Sequence, residues 1–95
     1  MRLWGKIFEN NIKLNEALVD ININKPSQLK SNEELLISKI TELTHELDLE
    51  MPVFIKKHRN DLFQYGRTTF YPSDFMENVS FDKFIIEIII DADDK

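Results

Sequence analysis

Ten residues near the end of the chain, Phe81-Asp82-Lys83-Phe84-Ile85-Ile86-Glu87-Ile88-Ile89-Ile90, restrict the fold more than any other segment. Isoleucine and phenylalanine are stiff or bulky at Cβ and fit a pleated surface better than a helix. Read as a strand, Phe84, Ile86, Ile88 and Ile90 share one face, and Ile85, Glu87 and Ile89 the other. The wholly apolar face has to meet helices. The block cannot be a membrane span, because Glu87 interrupts it and a span needs roughly 18–20 apolar residues.

Residues 2–8, with Trp4, Ile7 and Phe8, read as a second strand. Glu9-Asn10-Asn11 is a turn signal, since Asn tolerates positive φ. Residues 12–23 then read as the return strand of a hairpin. Ala17, Val19, Ile21 and Ile23 alternate with Leu18, Asp20 and Asn22. Ile12 and Leu14 fall on the other parity, so a bulge near Asn15-Glu16, or a longer turn, is expected.

Asn24-Lys25-Pro26-Ser27 breaks the chain. Ser31-Asn32-Glu33-Glu34 matches a capping box, with Ser31 as the expected cap. Leu36, Ile40, Leu43 and Leu47 follow at helical spacing and predict an amphipathic helix of about four turns. Pro52 is expected to open a second helix over 53–65, with Phe54, Ile55, Leu62 and Tyr65 turned inward and Gly66 as its C′ residue. Residues 67–71 read as a short extended piece, and Pro72-Ser73-Asp74 as a turn. Residues 91–95 are expected to be a frayed acidic tail.

The expected fold is α+β, a single domain over 1–95. It has an antiparallel sheet of three or four strands and two helices, in the order β-β-α-α-β. Ninety-five residues are enough for one core and too few for two. There is no cysteine, which excludes disulfides, thiolate metal sites and cysteine nucleophiles. The opening Met1–Ile7 has a cation but no apolar run behind it, so no signal peptide is expected and the expected location is cytoplasmic.

Net charge is −5, but unevenly laid out. Residues 51–71 hold four Lys/Arg against one Asp/Glu, while residues 26–50 hold two against six. The cations Lys56, Lys57, Arg59 and Arg67 lie near Phe63, Tyr65, Phe70 and Tyr71. Such interleaving can grip phosphates and stack bases, so a nucleic-acid or phosphate contact is the alternative reading. The blander reading makes the aromatics core and the cations a solvated face, and the acidic flanks favour it.

Glu42, His45 and Glu46 on the first helix contain an E-x-x-H, but the second copy that carboxylate-bridged sites need is absent. No metal or cofactor is expected. G-x-S-x-G, S-x-x-K and H-E-x-x-H are missing, and two glycines cannot build a phosphate-cradling loop. No catalytic residue is assigned.

Several short segments resemble a family of short uncharacterised proteins from low-GC Gram-positive bacteria, clostridia among them. They are Arg2-Leu3-Trp4-Gly5-Lys6-Ile7, Glu46–Leu49 with Pro52–Ile55, Gly66–Phe70, Asp74–Glu77, and Phe81-Asp82-x-Phe84. The resemblance implies a small bacterial cytoplasmic protein. It implies no activity, cofactor or site residue.

With both helices on one face of the sheet, the other face is left open. It would show Trp4, Phe8, Leu18, Ile85 and Ile89 around Lys6, Asp20 and Glu87. A contiguous patch with a Trp and a Phe marks a contact surface. The alternative is that residues 67–80 or a helix fold across it. The expected function is a non-catalytic interaction module that docks on a protein partner or on a second copy as a homodimer. Nucleic acid and membrane are not the expected partners.

Overall fold

The structure is a computed structural model that describes residues 1–90; the tail expected at 91–95 lies outside the described residues. Its elements are β1 (Arg2–Glu9), β2 (Ile12–Asp20), α1 (Pro26–Lys30), α2 (Glu33–Glu46), α3 (Lys56–Tyr65), β3 (Arg67–Phe70), a 3₁₀ turn (Pro72–Asp74) and β4 (Lys83–Ile89). The four strands form one antiparallel sheet in the order β2-β1-β4-β3. The α+β class and the antiparallel sheet therefore stand. The element order differs from the expected β-β-α-α-β by a short extra helix and a fourth strand.

β1 and β2 are joined by Asn10 and Asn11, both at positive φ (52° and 64°), the backbone a tight hairpin of right-handed twist requires. The register shifts between Ile7, opposite Asn15, and Phe8, opposite Lys13, leaving Leu14 as the extra residue of a bulge. The bulge lies beside the position expected for it and explains the parity of Ile12 and Leu14, both exposed. β2 stops at Asp20, three residues early, although Ile21 still donates its amide to the Met1 carbonyl.

α2 is capped by Asn32, not Ser31: the Asn32 side chain accepts from the Leu35 amide. Ser31 is already engaged, because it ends α1 and donates its hydroxyl to the Gln28 carbonyl. The break at residues 24–27 conceals α1. Pro26 supplies the fixed φ of a first helical turn, and Gln28 reaches back to accept from the Asn24 and Lys25 amides. Leu29 on this turn is fully buried.

α3 starts at Lys56, three residues later than expected. Residues 51–55 are neither helix nor strand, Ile55 is extended, and the Val53 amide donates to the Asp74 carbonyl. The delayed start rotates the helix face. Leu62 remains inside, but Ile55 and Tyr65, both expected in the core, are exposed, and His58 takes an inward place. Gly66 ends the helix at φ 77°, in the left-handed region, as expected.

Among the described residues, the buried core lies on one face of the sheet. Leu3 and Ile7 of β1, Val19 of β2, Thr68 and Phe70 of β3, and Phe84 and Ile86 of β4 are buried there. Leu36, Ile40 and Leu43 of α2, with Leu47 at its C-cap, complete the core, as the spacing predicted. Gly5 lets α2 approach closely. A Cβ at this position would lie 2.9 Å from Leu43 Cδ2 and 3.0 Å from Phe84 Cε1. α3 covers β3 through His58, whose ring stacks on Phe70 at 4.3 Å. The 71–82 connection lies on the same side, with Phe75 against Phe81 and Phe84. Ile90, expected on this face, lies past the end of β4 and is exposed.

Candidate interaction face

The opposite face of the sheet is formed by the alternate residues of each strand, and their arrangement follows from the register. Trp4 stands between Leu18 on β2 and Glu87 on β4. Lys6 stands between Glu16 and Ile85, and Phe8 between Lys13 and Lys83. Arg2 stands between Asp20 and Ile89. β3 extends two of these rows, with Arg67 opposite Glu87 and Thr69 opposite Ile85. The helices and the 71–82 connection are all held by residues of the other face.

The expected interface residues are therefore all on this open face. Leu18 is exposed, while Trp4, Phe8, Ile85 and Ile89 are half-buried by their neighbours. Charged residues are set among them. Trp4 and Leu18 lie side by side with Glu87 beyond Trp4, Lys6 lies beside Ile85, and Arg2 lies between Asp20 and Ile89. Placing charges among the apolar residues is a known way to keep a sheet face soluble.

These charges hold the aromatics in place. The Trp4 indole donates to Glu16 Oε1 at 2.7 Å. Lys6 Nζ lies 4.0 Å from the Trp4 ring centre, a cation–π distance, and 3.1 Å from Glu87 Oε1. Its side chain is only 13% exposed. Lys13 completes the group by pairing with Glu16 at 2.7 Å, and Lys83 lies over Phe8 at 5.5 Å. The Lys13 hydrogen bond, and after it the Trp4 indole, hold the Glu16 carboxyl below its ordinary pKa. Across the face Arg2, Lys6, Lys13, Arg67 and Lys83 stand against Glu16, Asp20 and Glu87, an excess of two positive charges on a chain of net charge −5. Sequence reading found the five apolar positions but missed Glu16, whose parity with Leu18 puts it on this face, and Lys13, which the bulge brings there.

The cations of the alternative reading are split by the fold. Arg59 is engaged: it donates to the Lys30 carbonyl, lies 3.8 Å from Glu33 and stacks over Phe63. It ties α3 to α1 and α2. Lys56 flanks it beside Phe54 and Ile55. Lys57 and Arg67 line a different hollow, at the far edge of the sheet. The four cations thus present no common surface.

His58, which lies in the same basic stretch, is buried instead. Its Nδ1 accepts from the Ile55 amide at 3.2 Å, which places the ring proton on Nε2, 3.6 Å from Asp74 Oδ2. Asp74 in turn accepts from the Tyr71 amide. One ring nitrogen thus caps the start of α3, and the other faces the 71–74 turn. A polar residue three positions into a helix is the signal that could have marked it as a cap. Glu42 pairs with Lys39, and among the described residues no group of three or more His, Asp and Glu could hold a metal ion. No helix of the described residues is long and apolar enough to cross a membrane.

No protein-family model, curated protein or solved structure matches the chain.

Proposed function

We propose that the chain is a non-catalytic protein-interaction module of the cytoplasm, and that its open sheet face is the contact surface. The carrying observation is Trp4. It is half-exposed at the centre of an uncovered sheet face, with its ring fixed by the Glu16 hydrogen bond and the Lys6 cation. A rigid aromatic loses little conformational freedom when covered, and such residues are the usual anchors of protein interfaces. The paired charges around it can enter an interface already satisfied, which lowers the cost of desolvating them. The resemblance to short bacterial proteins fits this reading and adds no site to it.

The excess positive charge of the face favours a partner surface that is acidic around an apolar centre. A second copy would set two like-charged faces together, so a different protein is the preferred occupant and a homodimer the competing outcome. The test places a photo-crosslinking residue at Leu18, on the open face, or at Ser38, on the exposed side of α2. Cross-links to one defined protein are expected from Leu18 and not from Ser38. That protein, purified, should bind at least tenfold more weakly to Trp4→Ala and to Ile85→Arg, both still folded by circular dichroism. Cross-links confined to Ser38, or binding that neither substitution weakens, would sink the proposal. A wild type that light scattering shows to be a dimer, and that Ile85→Arg makes monomeric, would transfer the role to the second copy.

A further inference from the structure

β3 is an outer strand of the sheet, and among the described residues no strand pairs with its other side. The Ile88 amide donates to the Gly66 carbonyl, so Gly66 and Ile88 are a hydrogen-bonded pair. Antiparallel strands bond at every second residue. Thr68 and Phe70 therefore direct their amides and carbonyls toward β4, and Arg67 and Thr69 direct theirs outward. Beside that edge lies an open hollow of about 690 Å³. Its far wall is one side of α3, the i, i+4 row Lys57, Asp61 and Tyr65. α3 and β3 are joined only by Gly66, so the helix runs back alongside the strand and the hollow is a groove between them.

Two further features distinguish this groove from an ordinary surface depression. Thr68 lines it and is 2% exposed, and its buried hydroxyl has no hydrogen-bond partner among the described residues. Buried polar groups are nearly always satisfied, so this one calls for a donor or acceptor from outside. Tyr65 and Tyr71, 67% and 53% exposed, also line the groove and offer broad amphipathic surfaces.

We propose that the α3–β3 groove binds an extended peptide segment of a partner protein, which pairs as a fifth strand with the outward backbone groups of Arg67 and Thr69. An extended peptide is the occupant because only a strand presents main-chain donors and acceptors at the repeat of that edge. Lys57 and Arg67 against Asp61 and Glu87 give the groove walls no net charge, which suits a peptide of mixed polar sequence better than a polyanion. A polar side chain of the peptide, or its backbone, completes the Thr68 hydroxyl. With two outward residues the edge is short, which protects it from indiscriminate pairing and sets a modest affinity. The site adjoins the open face but uses none of Trp4, Phe8 or Leu18, so it stands or falls apart from the function proposed above.

The test selects a displayed library of random twelve-residue peptides on the full chain, and measures the enriched peptides, made synthetically, by NMR. The Arg67 and Thr69 amides should shift and gain protection from hydrogen exchange on peptide addition. Thr69→Pro should weaken binding at least tenfold; proline is tolerated at an edge position whose amide points outward, so the ladder to β4 survives. Thr68→Val should leave the melting temperature unchanged or raised and still weaken binding several-fold, a split that a merely structural Thr68 would not produce. Trp4→Ala should bind the peptide as the wild type does. If Thr69→Pro does not fold, the exchange rates of the wild type decide. Failure to enrich any peptide, unprotected Arg67 and Thr69 amides in the complex, or protection at the β2 edge instead would overturn the assignment.

Discussion

The two faces of this sheet are built from alternate residues of the same four strands, yet they are held together in different ways. Under the helices, Leu3, Phe70, Phe84 and Ile86 are fully buried, and Gly5 is bare so that Leu43 can sit against the strand. On the open side, Trp4, Lys6, Glu16 and Glu87 meet in hydrogen bonds, ion pairs and a cation–ring contact, all within reach of water. The covered face is stabilised by removing apolar area from water, about 25 cal/mol for each Å². The open face gains only the small net energy of solvated polar pairs. Much of the stability therefore belongs to one face, and the other is free to vary with function.

The largest expected effect tests that division directly. Leu43→Ala should cost about 2–5 kcal/mol in urea denaturation, since it opens a cavity in a packed core. Ile85→Ala, on the same sheet but facing out, should cost about 1 kcal/mol or less. Equal losses would mean that the open face is covered in solution. Next comes the close approach at Gly5. Gly5→Ala should cost about 1–3 kcal/mol by pushing Leu43 and Phe84 apart, with no cavity formed. A neutral result would show that α2 is not seated as tightly as its contacts imply.

The remaining two effects sharpen the description of the open face. A double-mutant cycle of Lys6→Ala and Glu87→Ala should give a coupling of about 0.5–1 kcal/mol, at the upper end for a solvated pair because the Lys6 stem is covered. A coupling of zero would make the Lys6 position a matter of the Trp4 ring alone. The smallest effect is with pH. Glu16 is held below its ordinary carboxyl pKa, so its contribution is fully present above that value and is lost as pH falls through the lower, folded one. Trp4 fluorescence should therefore change only on acidification below 4.5, the ordinary value for Glu, and Glu16→Gln should abolish that change. A Trp4 transition in Glu16→Gln at the same pH would assign the effect to another group.

Much of this was readable in the chain. The alternation in 17–21 and 84–88 gave the inward residues of β2 and β4, and the spacing Leu36, Ile40, Leu43, Leu47 gave the buried side of α2 and its C-cap. The five apolar residues of the open face followed from the same period of two. The helix starts were less legible. Asn32 and Ser31 are equally good caps by type, and the choice fell to Asn32 because Ser31 was already used by α1. Residues 53–55 could have been helical, but the Val53 amide has a tertiary acceptor at Asp74, and three residues of delay turned Ile55 and Tyr65 out to solvent.

Local periodicity thus determined, from the sequence by itself, that the chain makes a hairpin, an amphipathic helix and a strong final strand, and which side of each is apolar. It did so because side-chain direction in a strand or helix repeats at a fixed period, whatever the partner. Only the tertiary structure decided that β4 lies between β1 and β3, that β3 becomes an outer strand, and that Glu16, Lys6 and Glu87 close around Trp4. Those outcomes depend on pairing and register between residues up to 81 positions apart, and no local pattern encodes which strand edges meet.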